Sequence, residues 1–486
     1  MQAYSICSNL SDSVRRLHLN EFRFEHHEDV KKSVSTDALS VRETTNYPIG
    51  DYSVIIARIA EYTNVLPANV ILSAGSDEVL RAVVDTCGLR NQTKVLMAAP
   101  GYSHFLQYTK LRGLAIDTYD AADGLRGVSE YLRTVDPSDS LLVYLGNPNN
   151  PVGGHMDAQS VKVVSDAYPD CTFIVDEAYI EFCGLEYSAT SLCLQCPNLI
   201  VTRTFSKAFG LAGLRIGYGV GHIHLVAQIS IALSPKALRS YEVRVAESVM
   251  GQVPYYLELA QQTRIEIARV MKILAQDGWS CKDGEGNFFC VYVGNKVATA
   301  VRFLLEMGIC VRNRDDQPGL KGFLRVTGGT REDMDSVIAT LRCFRDKYPV
   351  TVYVDGIFDL FHFGHIQFLK QAKALGGATA RLLVGVISDE DAAWKRRPIV
   401  DHADRCEMLK HCTIADKIVD SAPLILTKPF LEKHAIDLVV HGDDSDQAEF
   451  FEVPIQMGIM RYVPYTPSIS TTTILHRVSS QIHKYS

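Results

Sequence analysis

Between about residues 54 and 235, short apolar runs alternate with amphipathic stretches of helical period, and the same alternation returns from 350 to 486. Strands that must each be covered by the helix that follows leave few options: a mostly parallel sheet with helices on its faces. In the first block we expect strands over 70–74, 94–99, 141–145, 173–175, 199–202 and 214–219. From about 240 to 346 the pattern changes to a long helix, short strands over 288–293, 308–311 and 322–327, and a helix over 331–346. That block reads as a smaller α+β unit completed by residues before about 45. The last helix stops ahead of Pro349, since proline disfavours a helical residue before it. A strand over 351–354 follows with no Gly/Ser-rich or Pro-rich tether, so the junction is expected to be short and stiff. Further strands over 381–386, 437–441 and 462–463 predict a second, doubly wound domain. The expected organisation is α/β throughout: 1–347, with a large domain of about 46–235 and a small one of about 1–45 and 240–346, then 350–486.

At 486 residues the chain exceeds one ordinary core, which agrees with that division. A net charge of −7 argues against a nucleic-acid partner. No run of about 18 apolar residues predicts a membrane span, and the first residues lack the basic-then-apolar layout of a signal peptide. The 12 cysteines include no Cys-x-x-Cys pair and are expected to be reduced thiols, mostly core filler. The cytoplasm is the expected location.

Chemistry-bearing residues cluster just past the expected strand ends, where open α/β sheets bind ligands. They are Gly75-Ser76-Asp77, Asn147-Pro-Asn-Asn-Pro151, Asp176-Glu177, and Lys207 within Thr204-Phe-Ser-Lys-Ala-Phe-Gly210. Singly, each has a bland reading as a helix cap, a turn or a solvated lysine. Four such motifs in order are another matter. Residues from about 15 to 346 resemble class I/II aminotransferases of fold type I, and among them the histidinol-phosphate aminotransferases. The resemblance implies a pyridoxal 5'-phosphate (PLP) cofactor, with Lys207 as Schiff-base lysine and acid/base catalyst. It implies Asp176 for the pyridinium nitrogen, and Asn150 and Tyr179 for the phenolic oxygen. Ser206 and Arg215 would grip the phosphate with amides at Ser76 and Asp77, and Tyr102 would stack on the ring. Tyr47 would reach a partner subunit's cofactor, which implies a homodimer with PLP sites at the subunit interface. Arg312 and Arg325 would bind substrate phosphate and carboxylate, their forks matching either anion; Arg314 and Arg331 are expected to be solvated surface charges. Pro100-Gly101 departs from the family's usual Pro-Thr and resembles decarboxylases acting on phosphorylated hydroxy amino acids. The remaining motifs favour transamination.

The segment Val352-Tyr-Val-Asp-Gly-Ile-Phe-Asp-Leu-Phe-His-Phe-Gly-His365, with a helix expected over 366–375, resembles CTP-dependent cytidylyltransferases that act on phosphocholine, phosphoethanolamine or glycerol 3-phosphate. Two histidines three apart could instead be a metal pair or core residues, but the flanking glycines suit close approach to a nucleotide. The resemblance implies that His362, His365 and Lys395 act on CTP phosphates, with Mg2+ accompanying CTP. Gly356, Phe358, Arg405, Gly442, Asp443, Ser470, Thr471 and Thr472 would contact the nucleotide, and Asp359 would position the incoming phosphate or its head group. Tyr465 stands where that family has a phosphate-binding arginine.

Joining the two implies a shared molecule: a small phosphorylated amino compound. We expect transamination with a keto or amino acid co-substrate, giving for example serinol phosphate, followed by formation of a CDP-amino alcohol from CTP. The alternatives are decarboxylation of phosphoserine followed by CDP-ethanolamine synthesis, or one domain retained only as a ligand-binding regulatory module.

Overall fold

The computed structural model describes residues 13–35, 47, 52–87, 94–136, 141–377, 379–393, 397–443, 448–464 and 469–481. The largest sheet has seven strands: β1 Val70–Ser73, β2 Lys94–Ala99, β3 Ala115–Asp120, β4 Leu141–Gly146, β5 Thr172–Asp176, β6 Leu199–Thr204 and β7 Gly217–Gly221. Their spatial order is β1-β7-β6-β5-β4-β2-β3. The central strands β4, β5 and β6 are buried along their whole length, which is why they read as unbroken apolar runs. β7 runs antiparallel to both its neighbours, so the sheet is mixed but mostly parallel. It begins at Gly217 rather than at the expected 214, because Ala212–Leu214 forms a 3-10 turn and Arg215 adopts a left-handed φ of 51°. The unexpected strand β3 lies at the sheet edge with both faces partly exposed, so no apolar run betrays it.

The smaller sheet is antiparallel: β8 Cys281–Asp283, β9 Phe288–Tyr292, β10 Arg312–Asn313 and β11 Phe323–Thr327, in order β10-β11-β9-β8. The single strand expected over 308–311 is instead two short pieces, for Ile309–Cys310 pairs in parallel with Arg15–Arg16. The helices Val253–Gln276, Val297–Glu306 and Arg331–Lys347 cover this sheet around a core that includes Leu17, Phe289 and Leu341.

The third sheet holds β12 Thr351–Gly356, β13 Arg381–Ile387, β14 Lys417–Ala422, β15 Leu438–Gly442 and β16 Met460–Val463, all parallel in order β14-β13-β12-β15-β16. The winding reverses between β12 and β15, which opens a crevice at their carboxyl ends. The edge strand β14 was not anticipated, since its burial is broken and its register is shifted.

Only Tyr348, Pro349 and Val350 separate the helix Arg331–Lys347 from β12. Around them Lys296 pairs with Asp437 and donates to the Pro349 carbonyl at 3.1 Å. Asp437 also accepts from the Thr351 amide at 2.8 Å, and Asn295 donates to the Ile436 carbonyl at 3.2 Å. Among the described residues, no helix is long and apolar enough to cross a membrane.

Candidate active sites

A cavity of about 330 Å3 opens where β4, β5 and β6 end, and the small sheet closes its far wall. Asp176, the last residue of β5, is 7% exposed at this cavity. Its carboxylate accepts from Tyr144 Oη at 2.7 Å and from Thr202 Oγ1 at 3.1 Å. Burial pushes its pKa up to about 6, against the pull of those two hydrogen bonds. Lys207 follows β6 by three residues; its Nζ donates to the Leu19 carbonyl at 2.9 Å and lies 5.7 Å from the centre of the Tyr179 ring. Tyr179 Oη accepts from Asn150 Nδ2 at 3.2 Å and from Asn20 Nδ2 at 3.0 Å.

At the other end of the cavity the helix Ser76–Cys87 begins, three residues past β1. Arg215 donates to Ser206 Oγ at 3.3 Å and stands 3.6 Å from Asp77, whose carboxylate also accepts from Tyr102 Oη at 2.9 Å. Gly75 has a φ of 84°, and a Cβ there would lie 2.7 Å from the Arg215 guanidinium. A Cβ on Gly217 would lie 2.5 Å from the Ser76 nitrogen. Bare backbone, a helix N-terminus, a hydroxyl and a guanidinium together make a cradle for a phosphate-sized anion.

The small sheet adds a cationic wall. Arg312 and Arg325 are directly opposite on β10 and β11, and Arg325 donates to Asn150 Oδ1 at 2.8 Å and to the His18 carbonyl at 2.8 Å. Arg314 corrects the sequence reading: it is 8% exposed and lines the cavity instead of lying in solvent. It sits two residues beyond Arg312, so the strand alternation turns both toward the same side. Burial, then the charges of Arg325 and Arg312, pull its pKa down to about 9, and its Nε is buried without a hydrogen-bond partner among the described residues. His18 is held down to about 4, by burial and then by Arg16, Arg312 and Arg325. Arg331, by contrast, is at the surface, 3.2 Å from Glu266. Tyr47 does not line this cavity; it is exposed, with Lys236 Nζ 3.7 Å above its ring. Sequence reasoning missed Asn20 and His18, which no motif marks.

The second site lies at the carboxyl ends of β12 and β15. His362 is the N-cap of the helix Phe363–Leu375, which starts earlier than expected and takes His365 into its first turn. The two imidazoles stack with centroids 3.9 Å apart, and His365 lies parallel to Phe361 at 5.6 Å. The His362 amide donates to His365 Nδ1 at 3.3 Å, which leaves the proton of a neutral His365 ring on Nε2. Burial and then His362 hold His365 down to about 3, and burial lowers His362 as well. At neutral pH both are uncharged donors. A Cβ on Gly364 would stand 3.1 Å from the Ile469 carbonyl, so the helix Thr471–Gln481 comes close. Thr471 Oγ1 donates to the Asp359 carbonyl at 3.0 Å, and Ser470 Oγ accepts from the Thr473 amide at 3.1 Å. Thr472 is exposed beside them, while Gly356, Gly442 and Asp443 mark the ends of β12 and β15. Two helix N-termini thus converge, each favouring an anion.

Two residues expected to touch the nucleotide, Arg405 and Phe358, and one expected to position the incoming phosphate, Asp359, do other work. Arg405 is fully buried, bonded to Asp389 at 2.6 Å, to the Val400 carbonyl at 3.0 Å and to the Ile357 carbonyl. Asp359, 3% exposed, accepts from the amides of Ile399 at 3.2 Å and Val400 at 3.1 Å. Phe358, with a φ of 53°, packs into the core. All three pin the loops beneath the site, and a motif cannot distinguish a pinned loop residue from a ligand contact. Lys395 and Tyr465 lie outside the described residues.

The family model for aminotransferase class I and II matches residues 13–341. The chain belongs to aminotransferase class I and II. A second model, cytidylyltransferase-like, matches residues 353–477, so this aminotransferase is an enzyme fused to a cytidylyltransferase-like domain. The histidinol-phosphate aminotransferase of Caldanaerobacter subterraneus subsp. tengcongensis is 30% identical over 337 residues, 67% of this chain and 92% of that protein. The structure of histidinol-phosphate aminotransferase from Sinorhizobium meliloti in complex with pyridoxal-5'-phosphate is 25% identical with a TM-score of 0.59, covering 68% of this chain and 91% of that one. The L-threonine-O-3-phosphate decarboxylase of Porphyromonas gingivalis, 18% identical with a TM-score of 0.60 over 68% and 99% of the two chains, shares the fold.

The residues of this aminotransferase fit PLP. The cavity pairs a primary amine, Lys207, with a buried carboxylate, Asp176, whose raised pKa a cationic ring N–H would lower. The cradle at Gly75, Ser76, Ser206 and Arg215 suits the cofactor's phosphate.

In the fused domain, His365→Ala should slow nucleotidyl transfer by about 10²–10³-fold, as expected when one preorganised donor is lost; pyrophosphate release measures it. The same ring sets an acid limit on stability. Its folded pKa is depressed from 6.5 to about 3, so protons bind the unfolded chain first and stability falls as pH drops below about 6.5 towards 3. His365→Gln should flatten that acid slope in denaturant midpoints taken between pH 7 and 4.

Proposed function

We propose that the aminotransferase part makes a small phosphorylated amino alcohol, for example serinol phosphate from dihydroxyacetone phosphate with glutamate as donor. The second part then transfers a cytidylyl group from CTP onto it and releases pyrophosphate. The observation that carries this reading is the cationic wall of buried Arg314 and Arg325 with half-buried Arg312, which shares one cavity with Lys207. A substrate with an anion at one end and a carbon to be aminated at the other fills that space with both ends matched. PLP, when bound, supplies the electron sink. Lys207 carries the proton to and from the substrate carbon, held by Leu19 and Tyr179. Asp176 would keep the cofactor's ring nitrogen protonated, and Asn150 with Tyr179 would hold its phenolic oxygen. Ser206, Arg215 and the amides at Ser76 and Asp77 would hold its phosphate, with Tyr102 against its ring.

For the second step, the converging helix N-termini with His362, His365, Ser470, Thr471 and Thr472 offer neutral donors to the phosphates of CTP, with Lys395 as the cation and Mg2+ as counterion. Donors already aimed at the departing pyrophosphate need no rearrangement as charge develops. The exposure of Tyr47 beside Lys236 supports a homodimer in which that ring completes the neighbouring cofactor site.

Arg314→Ala should remove one charge-assisted contact of about 1.5–3 kcal/mol, raising KM for the phosphorylated substrate roughly 10- to 150-fold with kcat changed far less. The deciding experiment is a panel of phosphorylated amino alcohols with CTP, read by mass spectrometry for CDP adducts. If no amino-alcohol phosphate releases pyrophosphate, the second step is wrong, and CTP binding without turnover would then mark a regulatory domain. Carbon dioxide from phosphoserine without a keto acid would replace transamination with decarboxylation.

A further inference from the structure

We infer that His402, Cys406 and Asp420 form a zinc-type metal site on the outer edge of the C-terminal sheet. His402 and Cys406 are four residues apart on the helix His402–Lys410, so both project from one face. Asp420 comes from the neighbouring edge strand β14. His402 Nε2 is 2.5 Å from Asp420 Oδ1 and 3.5 Å from Cys406 Sγ, and Sγ is 4.0 Å from the same carboxylate oxygen.

Metal bonds of about 2.0–2.3 Å in tetrahedral geometry place donor atoms roughly 3.3–3.7 Å apart. The imidazole and the sulfur already have that spacing, and only the carboxylate must swing outward. Asp420 is free to do so, its side chain being 75% exposed, whereas Cys406 is buried at 5%. The other ring nitrogen, His402 Nδ1, lies 3.2 Å from the Ile387 carbonyl. Such a hydrogen bond places the proton on Nδ1 and turns the Nε2 lone pair toward the other two donors.

One imidazole, one thiolate and one carboxylate suit Zn2+ or its neighbours, whereas Mg2+ and Ca2+ take oxygen ligands. Coordination replaces the Cys406 thiol proton, which leaves to solvent. Three protein ligands leave a fourth position for water. The ion would tie the helix to β14 directly behind Arg405, and so behind the loop that Asp359 holds beside the paired histidines.

The test uses the full-length, metal-stripped protein titrated with Co2+. One equivalent should bind with visible tetrahedral bands and a near-ultraviolet thiolate band, both displaced by Zn2+. Cys406→Ser should abolish the thiolate band, and Cys406→Ser, His402→Gln and Asp420→Asn should each weaken binding at least ~10-fold. Asp420→Asn changes an exposed side chain and keeps the test open if a buried variant fails to fold. The second cluster of potential ligands, His155, Cys183 and Glu285, is the control: Glu285→Gln should change nothing. Absence of stoichiometric binding, binding undiminished by Asp420→Asn, or loss only in Glu285→Gln would each overturn the assignment.

Discussion

Lys207→Ala should abolish transamination, with a fall of at least ~10⁴-fold, while the chain stays folded and cytidylyl transfer is untouched. The size follows from losing two roles at once, the covalent hold on the cofactor and the proton carrier, of which the second alone is worth about 10²–10⁴. The selectivity follows from the contacts. Among the described residues Lys207 Nζ makes one hydrogen bond, to the Leu19 carbonyl at 2.9 Å, and its side chain is only part-buried. Losing that bond should cost about 1 kcal/mol. Three measurements check the prediction: amino-group transfer from glutamate, the yellow colour of the protein reconstituted with PLP, and the denaturant midpoint. A variant within tenfold of the parent rate would remove Lys207 from the chemistry.

Arg203→Ala should do the opposite, costing about 3–5 kcal/mol of stability, the usual penalty for stripping one partner from a buried ion pair. Arg203 lies on β6 and Glu177 just past β5; their side chains are 3% and 0% exposed. Glu177 Oε2 accepts from Arg203 Nε at 3.0 Å and from Ser188 Oγ at 2.9 Å, and Oε1 accepts from the Ala189 amide at 2.6 Å. Removing the guanidinium leaves that carboxylate in the interior with neutral donors only. Glu181 is affected too. Burial already pushes it up to about 7, and Arg203 is the largest opposing influence. Because Glu177 follows Asp176, the cavity should loosen as well, and cofactor affinity should fall with stability. Urea unfolding of Arg203→Ala, beside an Arg203→Met, Glu177→Leu pair that removes both charges, separates the mechanisms. The pair should recover much of the loss, and no recovery would mean that the ion pair itself is not what the interior requires.

Much of both sites is legible in the primary structure because strand ends are local features. An apolar run followed by turn residues marks where a strand stops; Asp176 is the last residue of its strand, and Asn150 and Lys207 stand just beyond theirs. The cap at His362 and the helix opened by Ser76 are equally local. The edge strands β3 and β14 were invisible for the converse reason: half in solvent, they carry no unbroken apolar run. The same blindness hid the ligand set at 402, 406 and 420, whose third member joins only through pairing of strands.

The sequence by itself determined the order of the two α/β parts and where their strands stop, through periodicity and through turn and cap preferences acting over a few residues. The chemistry expected of each part came from the resemblance of its motifs to known families. The tertiary structure alone decided which charges lose their water. Arg314, expected as a solvated surface charge, becomes a buried wall of the cavity, and Arg405, expected as a nucleotide contact, becomes a buried brace. Asn20 reaches Tyr179 because its amide bonds Thr327 across 307 residues of chain. Desolvation depends on what a distant element lays over a side chain, and no local pattern encodes that.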